Sequence, residues 1–368
     1  MRPPSTTAAP VTPSAPAPPT PPRGPRGLAP VLAVVLVPLL AVSVLLAVGL
    51  GAAVIPPAET ARYLWAALTG GTIGTDELSR YQIVWQIRTP RVLLAATVGA
   101  GLSVVGVAVQ AMVRNPIADP FVLGISSGAS VGAVTVGVFG VLSSLGVYAV
   151  SAGAFAGAAV ATAVVYGLAY SGAGVTPLRL VLTGVALSFG FQALMSVIVY
   201  FTPSNEATST VLFWTMGGFG AASWGSLPLV AALVVVGTVV VHRSSRSLDV
   251  AALGDETAAS LGVDTGRLRA VMFLLTAVMT GAVVAVSGVI GFVGLVVPHV
   301  VRIVVGAAHR RVLVVAPLAG AVFMVWVDLA SRVVVAPREL PLGVLTALVG
   351  VPVFLTLMRR RGYVFGGR

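Results

Sequence analysis

Apolar residues along this chain come in runs rather than in faces. Stretches of about 20 Leu, Val and Ala, often with Gly, recur and are separated by short polar or aromatic breaks. That length spans a bilayer core as helix. Strands of an outer-membrane barrel would read as short alternating segments instead. The pattern predicts ten spans. They lie at about 28–53, 90–113, 121–141, 146–170, 178–201 and 226–241, with two more within 270–305 and two within 312–358. The run 270–305 is too long for one crossing at about 1.5 Å per residue. It has Arg267 and Arg269 before it and Arg302, Arg310 and Arg311 after it. Two ends on one side require an even number of crossings, so a break is placed near Ser287-Gly288. The last run turns at Ala336-Pro337-Arg338-Glu339-Leu340-Pro341.

The breaks have their own character. Arg114-Asn115-Pro116-Ile117-Ala118-Asp119-Pro120 ends the second span with two prolines. Residues 55–88 and 203–224 are mixed, with Tyr63, Trp65, Tyr81 and Trp85 suited to a membrane interface. Residues 242–269 form the long polar loop after the sixth span, with four arginines and four acidic residues. Residues 1–27, rich in Pro, Ala, Ser and Thr, have little to bury and are expected to be a disordered tail. The run 28–53 exceeds the apolar core of about 7–15 residues in a cleaved signal peptide, so it reads as an uncleaved first span. The expected organisation is a tail at 1–27, a membrane domain at 28–358 and a short tail at 359–368.

Composition agrees with lipid as the solvent. Mean hydropathy is +1.01 and only 9% of residues are charged, against about 25% in soluble domains. The absence of Cys excludes disulfides and thiolate metal sites. Every one of the 22 basic residues is Arg, so the lysine of a phosphate-binding loop is missing. If ATP provides the energy, another chain binds it with its Mg²⁺, and no cofactor is expected here. The net charge of +11 is assigned to cytoplasmic loops rather than to nucleic acid. With both termini inside, sixteen arginines fall on the cytoplasmic side and six (62, 80, 88, 91, 332, 338) outside.

Enzyme motifs are lacking, and the three histidines (242, 299, 309) have no second ligand at helical spacing. Charges near spans are the better clues. Asp328 and Arg332 lie four apart and can pair on one helix face; Arg332 could equally face an external partner. Arg88 and Arg91 flank Thr89-Pro90 as interface anchors or as a basic pair offered to an acidic partner. No relay of ionisable residues runs through the spans, which counts against a proton-driven carrier, leaving loop 242–269 as the port for power.

Six stretches, in order, carry a resemblance: VWQIRTPRVLLA at 84–95, RNPIADPFVLGISSGAS at 114–130, WTMGGFGAASW at 214–224, LGDETAASLGV at 253–263, SGVIGFVGLVVPHVVR at 287–302 and ELPLGVLTALVGVPVF at 339–354. Through them the chain resembles, from its first span to its last, the permease subunits of the iron-siderophore and vitamin B12 class of ABC importers (FecCD/BtuC-like). The resemblance implies an all-α type II importer permease in the cell membrane, with ten helices and inverted repeats relating spans 2–5 to spans 7–10. It also implies a second permease subunit, identical or related, two ATPase subunits and an extracytoplasmic binding lipoprotein. Loop 242–269 would fold as two short helices docking on the ATPase through Leu253, Gly254, Asp255, Glu256, Ala258, Leu261 and Gly262. Arg88, Arg91 and Arg332 would meet acidic residues of the binding protein. Thr176 and Pro177 stand near the family's cytoplasmic gate, with Pro177 departing from its small hydroxyl residues. Ferric siderophore is the expected cargo, because it is common in the family. B12 or haem, an ion-gradient carrier, and a receptor that transports nothing are the alternatives.

Overall fold

The structure, a computed structural model, describes residues 27–360 apart from 52, 172–173 and 203–204. The expected tail at 1–27, except Gly27, and the end of the chain from 361 therefore lie outside the described residues. Helices follow in the order α1 Leu28–Gly49, α2 Pro57–Thr69, α3 Leu78–Gln82, α4 Thr89–Met112, α5 Ile125–Phe139, α6 Ala149–Ala169, α7 Pro177–Phe201, α8 Asn205–Met216, α9 Leu227–Arg243, α10 Ser245–Ala251, α11 Asp255–Ser260, α12 Thr265–Ser287, α13 Val293–Val305, α14 His309–Val333 and α15 Leu342–Arg360. A two-residue antiparallel pairing, Tyr170–Ser171 with Gly174–Val175, is the sole ladder among the described residues.

Among the described residues six helical segments are long and apolar enough to cross a membrane, seven if the bent pair α9–α10 is counted as one span. Three shorter apolar helices, α5, α13 and the apolar part of α15, stand where the third, eighth and tenth spans are expected. At about 1.5 Å per residue, α5 and α13 reach about 20 Å, short of a bilayer core of about 30 Å. The non-helical stretch before α13, residues 288–292, is buried or half-buried, as such backbone at membrane depth must be.

Local chemistry explains the breaks. The apolar run 270–305 breaks after Ser287 because Gly288 takes φ 64, ψ −166, a conformation open essentially to glycine alone. A Cβ there would also press on the Phe213 and Trp214 carbonyls. Phe292 at φ 66 then turns the chain into α13. Before α4 the helix widens into a π-helical turn, Ile83–Arg88. Thr89 sends both its N–H and its Oγ1 to the Val84 carbonyl, five residues back, next to Pro90, which has no N–H to give.

α4 is buried along nearly its whole length and is the centre of the core. It packs on α14, α12, α13 and α9, while α5 packs on α6 and α12 on α6. The pairing is reciprocal. α4, first in the series α4–α7, packs on α14, third in α12–α15; α12, first in its series, packs on α6, third in the other. Small residues make these crossings close. A Cβ on Gly99 would collide with the Gly320 carbonyl, and one on Gly157 with the Gly128 carbonyl.

Candidate functional site

Charged side chains gather at the two ends of α4 and α14. Arg91 and Arg114, one per cluster, are 23 residues apart, which is about 35 Å along a helix.

At one end α1 stops at Gly49 with its last carbonyls unpaired within the helix. Arg88 donates Nη1 to the Val48 and Gly49 carbonyls (3.1 and 2.9 Å) and Nη2 to that of Ala53 (2.7 Å). Arg332 donates Nη2 to Ala47 (2.9 Å) and Nη1 to Leu50 (3.1 Å). Two guanidiniums from neighbouring helices thus satisfy four consecutive carbonyls, Ala47 to Leu50, at the negative end of the helix dipole. Asp328 lies between Arg91 and Arg332. Its Oδ1 accepts from Arg91 Nε (2.8 Å) and its Oδ2 from Arg332 Nε (3.0 Å), the pairing that i,i+4 spacing foresees. Arg91 then reaches out to Glu339 with both Nη atoms (2.7 and 2.9 Å), a bidentate pair. This hydrogen bond holds the half-exposed Glu339 carboxyl below the usual carboxylate range.

Arg88, Arg91 and Arg332 were expected to face an external partner. Their relative exposures are 7%, 7% and 9%, and that of Asp328 is 0%. In the chain by itself their donors go to α1 carbonyls and to the carboxylates of Asp328 and Glu339. Sequence spacing revealed the Asp328–Arg332 pair, but nothing local revealed the carbonyls of α1.

At the other end, residues 242–269 hold two short helices, α10 and α11. Asp255 and Glu256 occupy the first turn of α11, where negative charge suits the N-terminus. Ala258 is its buried anchor. Gly262 (φ 79) closes the helix: its N–H goes to Ala259 and that of Val263 to Ala258, a Schellman end. Gly254 (φ 110) opens it. Leu253 and Leu261 flank α11 with 63% and 60% of their surface exposed.

This loop is braced from behind. Asp255 pairs with Arg269 of α12 and with Arg114 after α4 (3.3 Å). Asp249 of α10 accepts from the backbone N–H of His309 (3.0 Å) and contacts its Nδ1 (2.6 Å), so it caps α14 from outside the helix. Burial opposes charge on Asp249, yet the His309 contacts outweigh it and hold the carboxyl down. Asp249 and His309 were not singled out from the sequence. They are 60 residues apart, and only the fold joins them. Thr176 is the N-cap position of α7 and Pro177 its first residue; both line a cavity of about 580 Å³ with Arg114 and Asn115.

The sequence matches a transport-family model, the FecCD transport family, over residues 39–360. The chain belongs to the FecCD transport family. The hemin transport system permease protein HmuU of Yersinia pestis is 41% identical over 281 residues, 76% of this chain and 84% of that protein. The iron(3+)-hydroxamate import system permease protein FhuB of Bacillus subtilis is 36% identical over 282 residues, 76% and 72% respectively. Among solved structures, an ABC transporter of metal-chelate type in an inward-facing conformation matches with TM-score 0.77 and 30% identity, covering 90% of this chain and all of that one. As a FecCD permease the chain is a multi-pass membrane subunit of an ABC transporter and is not itself an enzyme.

Proposed function

We propose that this FecCD permease carries ferric siderophores inward across the cell membrane, as one of two permease subunits driven by two ATPase subunits and fed by an extracytoplasmic binding lipoprotein. The observation that carries the reading is the α10–α11 loop, with Leu253 and Leu261 open beside α11 and a braced back. Exposed leucines on a rigid short helix suit insertion into a partner's groove, and the brace hands movement of the loop to α12 and α14. In this reading the loop end is cytoplasmic and the Arg88 end external, with both chain termini inside. The ATPases bind ATP-Mg and this chain binds none. Thr176 and Pro177 remain the gate candidates, supported by their place at the loop end of α7.

Cargo is not chosen by identity, since relatives named for hemin and for iron(3+)-hydroxamate stand at 41% and 36%. Haem and B12 are therefore the nearest rivals. An ion-gradient carrier is disfavoured on a specific observation: Asp328, the one acidic residue within the six unbroken long apolar helices of the described residues, has both oxygens occupied by arginines. In proteoliposomes with the complete transporter, labelled ferric siderophore should accumulate with ATP and stop with vanadate or an inactive ATPase. Uptake that survives loss of the ATPase would sink the proposal. Accumulation of only B12 or haem would reassign the cargo.

A further inference from the structure

α1 lies along the α4–α14 pair, mainly on α14, where Trp326 donates to the Ser43 hydroxyl. The reciprocal pair, α6–α12, carries no such outer helix among the described residues. α5 packs on α6 through the face of Gly153, Gly157 and Ala161, and leaves the opposite face open. There a groove of about 430 Å³ runs between α6 and α12.

The groove suits hydrocarbon. Its lining side chains are apolar except Thr162 and Tyr166, and Thr162 returns its hydroxyl to the Ala158 carbonyl (2.7 Å). One end is shut where the helices close up: a Cβ on Gly281 would meet Ala158 at 3.0 Å and the Phe155 ring at 3.4 Å. Toward the other end Tyr166 stacks on Phe273, with centroids 5.9 Å apart, and the Tyr170 ring follows 6.2 Å from that of Tyr166. Eleven residues separate Phe155 from Tyr166, which is about 17 Å of helix. That is about half of a bilayer core of roughly 30 Å, the depth of one leaflet. A spanning helix of another protein needs the whole core; an acyl chain needs only this half.

The open end carries a charge. Arg267 lies four and seven residues before Val271 and Leu274, which line the groove, so it stands on the groove face of α12. It is exposed, and among the described residues its guanidinium has no hydrogen bond or ion pair. The nearby Asp264 is turned to the Arg267 backbone N–H as the N-cap of α12. A free guanidinium matches the oxygens of a phosphate, and tyrosines suit the level of headgroups.

We infer that the α6–α12 groove seats one acyl chain of an anionic phospholipid, whose phosphate meets Arg267, in the leaflet on the side of α11. In the importer reading above this is the cytoplasmic leaflet. Arg269, two residues on, pairs with Asp255, so the lipid sits at the root of the α10–α11 loop.

Native mass spectrometry of the full-length protein, purified with the subunits it retains, tests this as phosphatidylglycerol or phosphatidylcholine is titrated in. Wild type should hold one phosphatidylglycerol per copy of this chain, about fivefold more tightly than phosphatidylcholine, the weight of one arginine near anionic headgroups. Arg267→Gln should bring the two lipids level. Ala163→Trp fills the groove and should lose the bound lipid, while Val236→Trp, on the exposed surface of α9, should keep it. Equal binding of both lipids to wild type, or a preference that survives Arg267→Gln, overturns the headgroup contact. Lipid kept by Ala163→Trp overturns the groove as its seat. A polypeptide lost from Ala163→Trp in place of a lipid overturns the choice of occupant. Should Ala163→Trp fail to fold, Arg267→Gln decides, since an exposed side chain is changed. The measurement uses neither ATP nor cargo, so failure of the importer reading would leave its outcome standing.

Discussion

The two ends of α4 and α14 use the same side chains to opposite ends. At the Arg88 end, three arginines and Asp328 are almost fully buried, and the arginine donors go to α1 carbonyls and to the carboxylates of Asp328 and Glu339. At the loop end, Arg114, Arg269, Asp249 and Asp255 brace a segment whose leucines are left open. Charge at the first end closes the structure; charge at the second holds a surface out. Location of an arginine in an expected external loop is thus no measure of whether it meets a partner.

The largest effect is expected at Asp328. Asp328→Ala leaves Arg332 buried without its counter-ion and Arg91 with Glu339 alone, a loss of about 3–5 kcal/mol. Thermal unfolding of the purified permease in nanodiscs should show a large fall in midpoint. A small change would mean that the cluster is hydrated and free to serve a partner. Arg88→Met comes next, since it strips donors from the carbonyls of Val48, Gly49 and Ala53. An unsatisfied buried group costs about 1–3 kcal/mol. Hydrogen exchange should rise at the end of α1 and not at α10–α11.

The other end should respond in the reverse sense. Leu253→Asp with Leu261→Asp should move the unfolding midpoint little, as surface changes stay within about 0.5 kcal/mol. The same pair should weaken capture of the ATPase by about 2 kcal/mol or more if these leucines are anchors. Undiminished co-purification and ATP hydrolysis would remove the loop from the interface.

The smallest effect is at Glu339, on the rim of the arginine cluster. Its folded-state carboxyl is held low by Arg91, so its contribution is present above the unfolded value of about 4.3 and is lost as pH falls through the lower folded value. The unfolding midpoint should decline as pH drops below about 4.3, and Glu339→Gln should flatten that decline. An unchanged profile in Glu339→Gln would assign the acid sensitivity to other carboxylates.

Much of this molecule was legible in the order of its residues. Apolar runs alone specify helices in lipid, because length and solvation are properties of single segments. Ser287-Gly288 and the turn at 336–341 announced breaks through their own backbone chemistry, and Asp328 with Arg332 through helical spacing. The short helix α11 could be read as well: Asp255 and Glu256 suit a helix start and Gly262 a helix end, both local properties. Burial of Arg88, Arg91 and Arg332 could not be read, since their partners are carbonyls of α1 and carboxylates far along the chain. Nor could the capping of α14 by Asp249, or the groove that joins Tyr166 to Leu274. Each depends on which helices cross and how closely, and that is decided by glycines such as Gly99 and Gly320 meeting across a packed interface. Solvent, segments and family are properties of local stretches and can be read in order along the chain; which charges turn inward depends on how distant helices cross.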